Sequence, residues 1–239
     1  MTPLTNDADL ATTSGVIALA NLQAQIDGLE ALLAVGRLAV AQRAELIDLL
    51  TLRGQILGCS ADYERAAALA EQLVQDAPFA GSALLARVRT HALFHRFTAA
   101  LADLDVAEQC GSAPVTLDAE RAVIFQALGR YDEALALCQN AVASRPDFAS
   151  LSALAVLQAE RGEIAGAERL FSEGRRRYRG VSPFPVALID FQRGLMWRAQ
   201  GDLKAARTWF DAAQRRVPAY AAARDHLAEV DAALAGVSH

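Results

Sequence analysis

Two histidines, His91 and His95 in the stretch HALFH, are the first candidates for chemistry in this 239-residue chain. At i and i+4 on a helix, two imidazoles share one face and can reach one metal ion. The zinc-protease pattern would need a glutamate directly after the first histidine, and Ala92 stands there. No third ligand accompanies the pair, so a packing role for His91 is the competing reading.

Arginine is the second candidate. Arg53, Arg87, Arg121 and Arg193 recur at related positions, with Leu154 as the exception. Asp118 and Asp190 stand three residues before two of them, at the spacing of a helical ion pair. Guanidinium forks suit carboxylates and phosphates. Interleaved with acids from neighbouring helices, the same residues would form an ion-pair ladder instead.

The stretch RRRYRGVSPFP is a third candidate. Arg175, Arg176, Arg177 and Arg179 read as the end of a helix, where cations favour the dipole. Pro183, Phe184 and Pro185 then read as a linker, or as a kink with a basic and aromatic contact site. Cys59, Cys110 and Cys138 match neither a zinc motif nor a disulfide framework, and read as buried or half-buried thiols. No serine, cysteine or carboxylate sits in a catalytic constellation, and no glycine-rich phosphate loop is found.

The elements that would position these residues are helices. Hydrophobic residues make up 53% of the chain, aromatics only 6%, and Gly and Pro are sparse. Such a composition favours helix over strand. No apolar run approaches the roughly 20 residues that span a bilayer. The N-terminus lacks the basic start of a signal peptide, so the expected location is the cytoplasm, or outside it if a signal has been removed. The net charge of -5 is uneven: residues 1–160 carry 10 basic and 19 acidic side chains, residues 161–239 carry 13 and 9. A nucleic-acid binder is usually basic over most of its domain, which argues against one here.

The spacing is periodic. Ala66, Ala100, Ala134, Ala167 and Ala206 form a column with steps of 34, 34, 33 and 39 residues. Three residues earlier stand Tyr63, Phe97, Tyr131, Ile164 and Leu203. Four residues later stand Ala70, Leu104, Cys138, Phe171 and Phe210. Twelve residues earlier stand Gly54, Val88, Ala122, Ala155 and Gly194. Agreement in side-chain size across columns predicts five helix–turn–helix copies, with small residues at the close contacts and bulky ones filling grooves. Asp62, Gly129, Gly162-Glu163 and Gly201-Asp202 carry the residue types of the turns, and Pro78, Pro146 and Pro218 punctuate the copies.

On these columns the chain resembles the tetratricopeptide repeat family, whose repeat is 34 residues. The best copy is GLMWRAQGDLKAARTWFDAAQRRVP, with Gly194, Trp197, Gly201, Ala206, Phe210, Ala213 and Pro218 on the family pattern. The second copy departs from it, with His91 and His95 in place of the usual aromatic and glycine. The resemblance implies an all-α, right-handed superhelical solenoid. Residues 1–13 are expected to be disordered and 14–46 to hold an N-terminal capping helix and lead-in. The array is expected over 47–220, in copies 47–80, 81–114, 115–147, 148–186 and 187–220, with a C-terminal capping helix over 221–239.

In that family the first helices of the copies line a concave groove for a partner segment. Carried over, the groove consists of Gln55, Leu85, Arg89, Val123, Gln126, Val156, Phe191, Leu195 and Arg198. The implied function is a non-enzymatic adaptor with no cofactor, whose partner is a protein or peptide of amphipathic, acidic character. A ligand or metal sensor using His91 and His95 is the alternative.

Overall fold

The computed structural model describes residues 11–236, and among these residues it has twelve α-helices and no strand. Helix α1 is Gly15–Ala34. The first helices of the copies are α2 (Val40–Leu57), α4 (Gly81–Leu93), α6 (Pro114–Ala127), α8 (Phe148–Glu160) and α10 (Phe184–Ala199). Their second helices are α3 (Ser60–Asp76), α5 (Phe97–Gln109), α7 (Tyr131–Ser144), α9 (Ile164–Arg177) and α11 (Leu203–Arg216), and α12 is Ala221–Gly236. The chain is an all-α repeat solenoid.

One turn chemistry ends all five first helices. A left-handed residue follows the helix, and the amide after it donates back five residues. The bonds are Cys59 to Gly54, Arg96 to His91, Arg130 to Phe125, Glu163 to Gln158 and Asp202 to Trp197, at 2.8–3.1 Å. This is the Schellman closure, which satisfies carbonyls that the helix leaves open. The left-handed position is glycine in four copies, Gly58, Gly129, Gly162 and Gly201. In the second copy it is His95, at φ 57°, the one non-glycine residue with positive φ among the described residues. Asp202 then caps α11 by accepting from the Ala205 amide at 2.9 Å.

Two expectations about these turns are corrected. Asp62 is not a turn residue. In the first copy Gly58 stops α2 one helical turn earlier than in the other copies, so α3 starts at Ser60 and Asp62 is buried within it. Tyr131 is not a buried wedge but is 38% exposed.

The alanine column carries the packing. Ala66, Ala100, Ala134, Ala167 and Ala206 are each fully buried, and so are Ala70, Leu104, Phe171 and Phe210 four residues on. At Gly194 a methyl group would lie 2.5 Å from the Phe210 ring, and at Gly54 one would lie 2.8 Å from the Tyr63 ring. Both glycines are there because a ring occupies the place of their Cβ.

The contacts divide the chain into two compact units: residues 19–138 form one, and residues 139–236 with the segment 11–18 form the other. Within the second unit the Thr13 amide donates to the Val181 carbonyl at 2.8 Å, and Arg216 donates to the Thr12 hydroxyl at 3.0 Å. Thr12 and Thr13, within the segment expected to be disordered, thus make hydrogen bonds to the rest of the unit; residues 1–10 of that segment lie outside the described residues. Helix α2 runs through the expected boundary at 46/47, and α10 begins at Phe184, before the expected start of the fifth copy. In the first unit, Gln23 and Glu30 of α1 accept hydrogen bonds from Arg53 of α2 and Arg65 of α3. In the second, Ala223 and Val230 of α12 are buried.

Candidate functional site

The recurrent arginines are internal. Arg53 forks onto Asp62, and Arg87 forks onto Asp103 at 2.7 Å while reaching Glu71 at 3.2 Å. Arg121 donates to Glu108 at 2.6 Å and to Asp105 at 3.3 Å. Arg193 donates to Glu168 and lies 3.5 Å over the Trp209 ring. Each ties a first helix to acids of second helices, which is the ladder arrangement; Arg53, Arg87 and Arg193 grip one carboxylate through two nitrogens, and Arg121 donates through Nη2 alone.

Asp190 is not the i+3 partner of Arg193. It is fully buried between α9 and α11, ion-paired with Arg175 and 3.6 Å from Arg216. Burial pushes its carboxyl up, and the surrounding arginines pull it back. Arg175 therefore belongs to the interior. Arg177 donates to the Pro146 carbonyl and to Glu173, and Arg179 donates to the carbonyls of Arg176 and Tyr178. Phe184 is buried as the first residue of α10. The segment RRRYRGVSPFP is thus a braced linker, and the contact site expected there has lost its aromatic and most of its free cations.

The two histidines do not share a helical face. Helix α4 ends at Leu93, and His95 lies beyond it in the left-handed turn, edge-on to Phe97. His91 sits 3.7 Å from Asp103 and 3.8 Å from Glu71 beside the Arg87 fork. Burial pushes its imidazole below the usual range, against the pull of those two carboxylates. No group of three or more His, Cys, Asp or Glu side chains among the described residues is placed to hold a metal. Cys138 is buried and Cys59 half-buried, but Cys110 is exposed, which corrects the reading for that thiol.

The nine groove positions divide. Gln55 and Val123 are exposed; Leu85, Arg89, Gln126, Val156 and Leu195 are half-buried; Arg198 is exposed. Phe191 is buried, in ring contact with Phe210, Tyr220 and His226 at 5.2–5.5 Å. It is a core residue, not an accessible anchor. A helix turns 100° per residue, and the residue after it, Gln192, is the one that faces outward.

Each unit has one polar or open feature on its first helices. In the first unit Arg89 of α4 bridges neighbouring first helices, donating to Glu120 of α6 at 2.6 Å and to Asp48 of α2 at 2.8 Å. In the second unit α8 and α10 leave a cleft of about 210 Å³ between them, lined by Val156, Ala159, Glu160, Gln192, Leu195, Met196 and Ala199. Val156 and Leu195 are two of the nine positions read from sequence; the other five were missed. Glu160 and Ala199 lie four residues after Val156 and Leu195, the spacing that continues one helix face.

The repeat seen in the hairpins is matched independently by family models for the tetratricopeptide repeat, over residues 51–114 and 125–183, together just over half the chain. The chain belongs to the tetratricopeptide repeat family. Solved structures agree on the fold. A tetratricopeptide repeat protein from Parabacteroides merdae superposes with a TM-score of 0.70 at 19% identity, over 90% of this chain and 81% of that one. PilW, a type IV pilus biogenesis factor, gives a TM-score of 0.52 at 17% identity, over 79% and 92%. No curated protein matches the chain. Tetratricopeptide repeats are in general protein-interaction scaffolds, and no helix among the described residues is long and apolar enough to cross a membrane.

Proposed function

We propose that this tetratricopeptide repeat protein is a non-enzymatic adaptor that takes a segment of a partner protein on the open face of its first helices. The observation that carries this reading is the α8/α10 cleft. Val156, Leu195 and Met196 give it an apolar floor, and Gln192 offers an amide to a partner backbone. In a solenoid copy the outer positions of the first helix are free of packing duties, so such a surface is open to a ligand. An amphipathic segment is the occupant that suits an apolar floor with a polar edge.

The expectation of an acidic partner rested on Arg89 and Arg198. Arg89 is shared by Asp48 and Glu120, and Arg198 is held by Glu229 at 3.0 Å and His226 at 2.6 Å. Arg89 is committed to two carboxylates, and Arg198, engaged through Nη1, does not line the cleft, so the amphipathic half of that expectation is kept and the acidic half is not. The test is affinity capture from the cell of origin with wild type, Leu195→Gln and Ala199→Trp. The reading requires a protein captured by wild type and lost from both variants while their melting curves stay near wild type. Equal capture by all three would move the site off this cleft.

A further inference from the structure

We propose, building on the adaptor reading, that the α8/α10 cleft selects a basic amphipathic segment: an apolar side chain seated on Val156, Leu195 and Met196, with a lysine or arginine beside it on Glu160. Most of the acids around the first helices are spoken for. Asp48 and Glu120 hold Arg89, and Asp62 and Asp103 hold the forks of Arg53 and Arg87. Glu160 differs. Its carboxylate is exposed at the end of α8, lines the cleft, and has no side-chain partner among the described residues.

The nearest cation on α10 does not offset it. Arg198 already faces Glu229 and His226, so Glu160 and Glu229 together outnumber it. The cleft therefore presents apolar surface beside one uncompensated negative charge. An arriving carboxylate would be placed against Glu160, and the one side-chain donor in the lining, the Gln192 amide, carries no charge to offset that repulsion. An arriving ammonium or guanidinium gains a charge-assisted hydrogen bond to Glu160 while its apolar neighbour is seated on the floor beside it. Opposite charge at a rim also guides orientation and speeds association.

The experiment is selection of a random dodecapeptide phage library on the full chain. Peptides that also bind Leu195→Gln or Ala199→Trp are subtracted, which removes ligands that merely adhere to an acidic protein. The expected survivors carry Lys or Arg within one helical turn of a Leu, Ile, Phe or Met. A synthetic survivor should lose about tenfold in affinity for Glu160→Lys at low salt, and less at 0.5 M salt, because a rim charge is screened. Survivors that are neutral or acidic, or an affinity unmoved by Glu160→Lys, would overturn the charge preference and leave the cleft as the binding site. No cleft-dependent survivor at all would overturn both this proposal and the adaptor reading on which it rests.

Discussion

On one side of α10, Asp190, Phe191, Arg193 and Gly194 are out of solvent, among the rings of Phe210 and Tyr220 and the guanidinium of Arg175. On the other side, Gln192, Leu195 and Ala199 line an open cleft. The two sets alternate along ten residues of one helix. The buried side is charged as well as apolar, and the open side is mostly apolar. Polarity alone therefore does not tell interior from surface in this helix. What separates them is partnership: every charge on the buried side has an opposite charge beside it, whereas the open side's apolar groups line a cleft.

The comparison would break first at Asp190. Asp190→Ala leaves Arg175 buried with its countercharge gone, a loss of about 3–5 kcal/mol by analogy with other broken buried pairs. Denaturant unfolding measures it, and a change below about 1 kcal/mol would put that network on a par with surface pairs. Next comes Ala206→Leu, which inserts a side chain at a fully buried helix contact and should cost about 1–3 kcal/mol. An unchanged melt there would contradict the column register.

The helix ends sharpen the comparison in the opposite direction. Helix α10 closes on Gly201 and α4 on His95, in the same left-handed conformation. His95→Gly relieves a side chain held where only glycine is at ease, and should stabilise by about 0.5–1 kcal/mol. A loss of stability would mean that the edge contact with Phe97 outweighs the backbone strain.

On the open face the expected effects are smallest. Gln192→Ala should stay within about 0.5 kcal/mol of wild type, although it neighbours Phe191. His91 adds a pH effect whose sign follows from burial. Its folded-state pKa is depressed, so below about pH 6.5 the unfolded chain takes up the proton first. Stability is then full above that pH and falls as pH drops toward the folded value. Replacing His91 with Gln should flatten that decline in a series of melts.

The packed columns were legible because they rest on size at a fixed period: all five alanines are buried where spacing put them, and three of the four turns named from sequence carry their expected glycine or acid. The first copy escaped because Gly58 ends α2 three residues ahead of the common register, which carried Asp62 into α3. Of the groove positions expected from sequence, Val156 and Leu195 line the α8/α10 cleft, but Phe191 and Gln192 differ by one residue and 100°, and an aromatic beside an amide gives no sign of which is buried. The cluster of Arg175, Asp190 and Arg216 was not legible, since its members come from three helices and both Arg175 and Asp190 had a local explanation nearer in sequence.

The most direct measurement places a photo-crosslinking residue at Gln192 in the full chain, in the cell of origin, with the same residue at exposed Arg176 as the comparison. If the α8/α10 cleft is the binding face, irradiation joins a partner protein to the chain through position 192 and not through 176. Adducts from 176 alone would place the partner at the end of α9 and contradict the account.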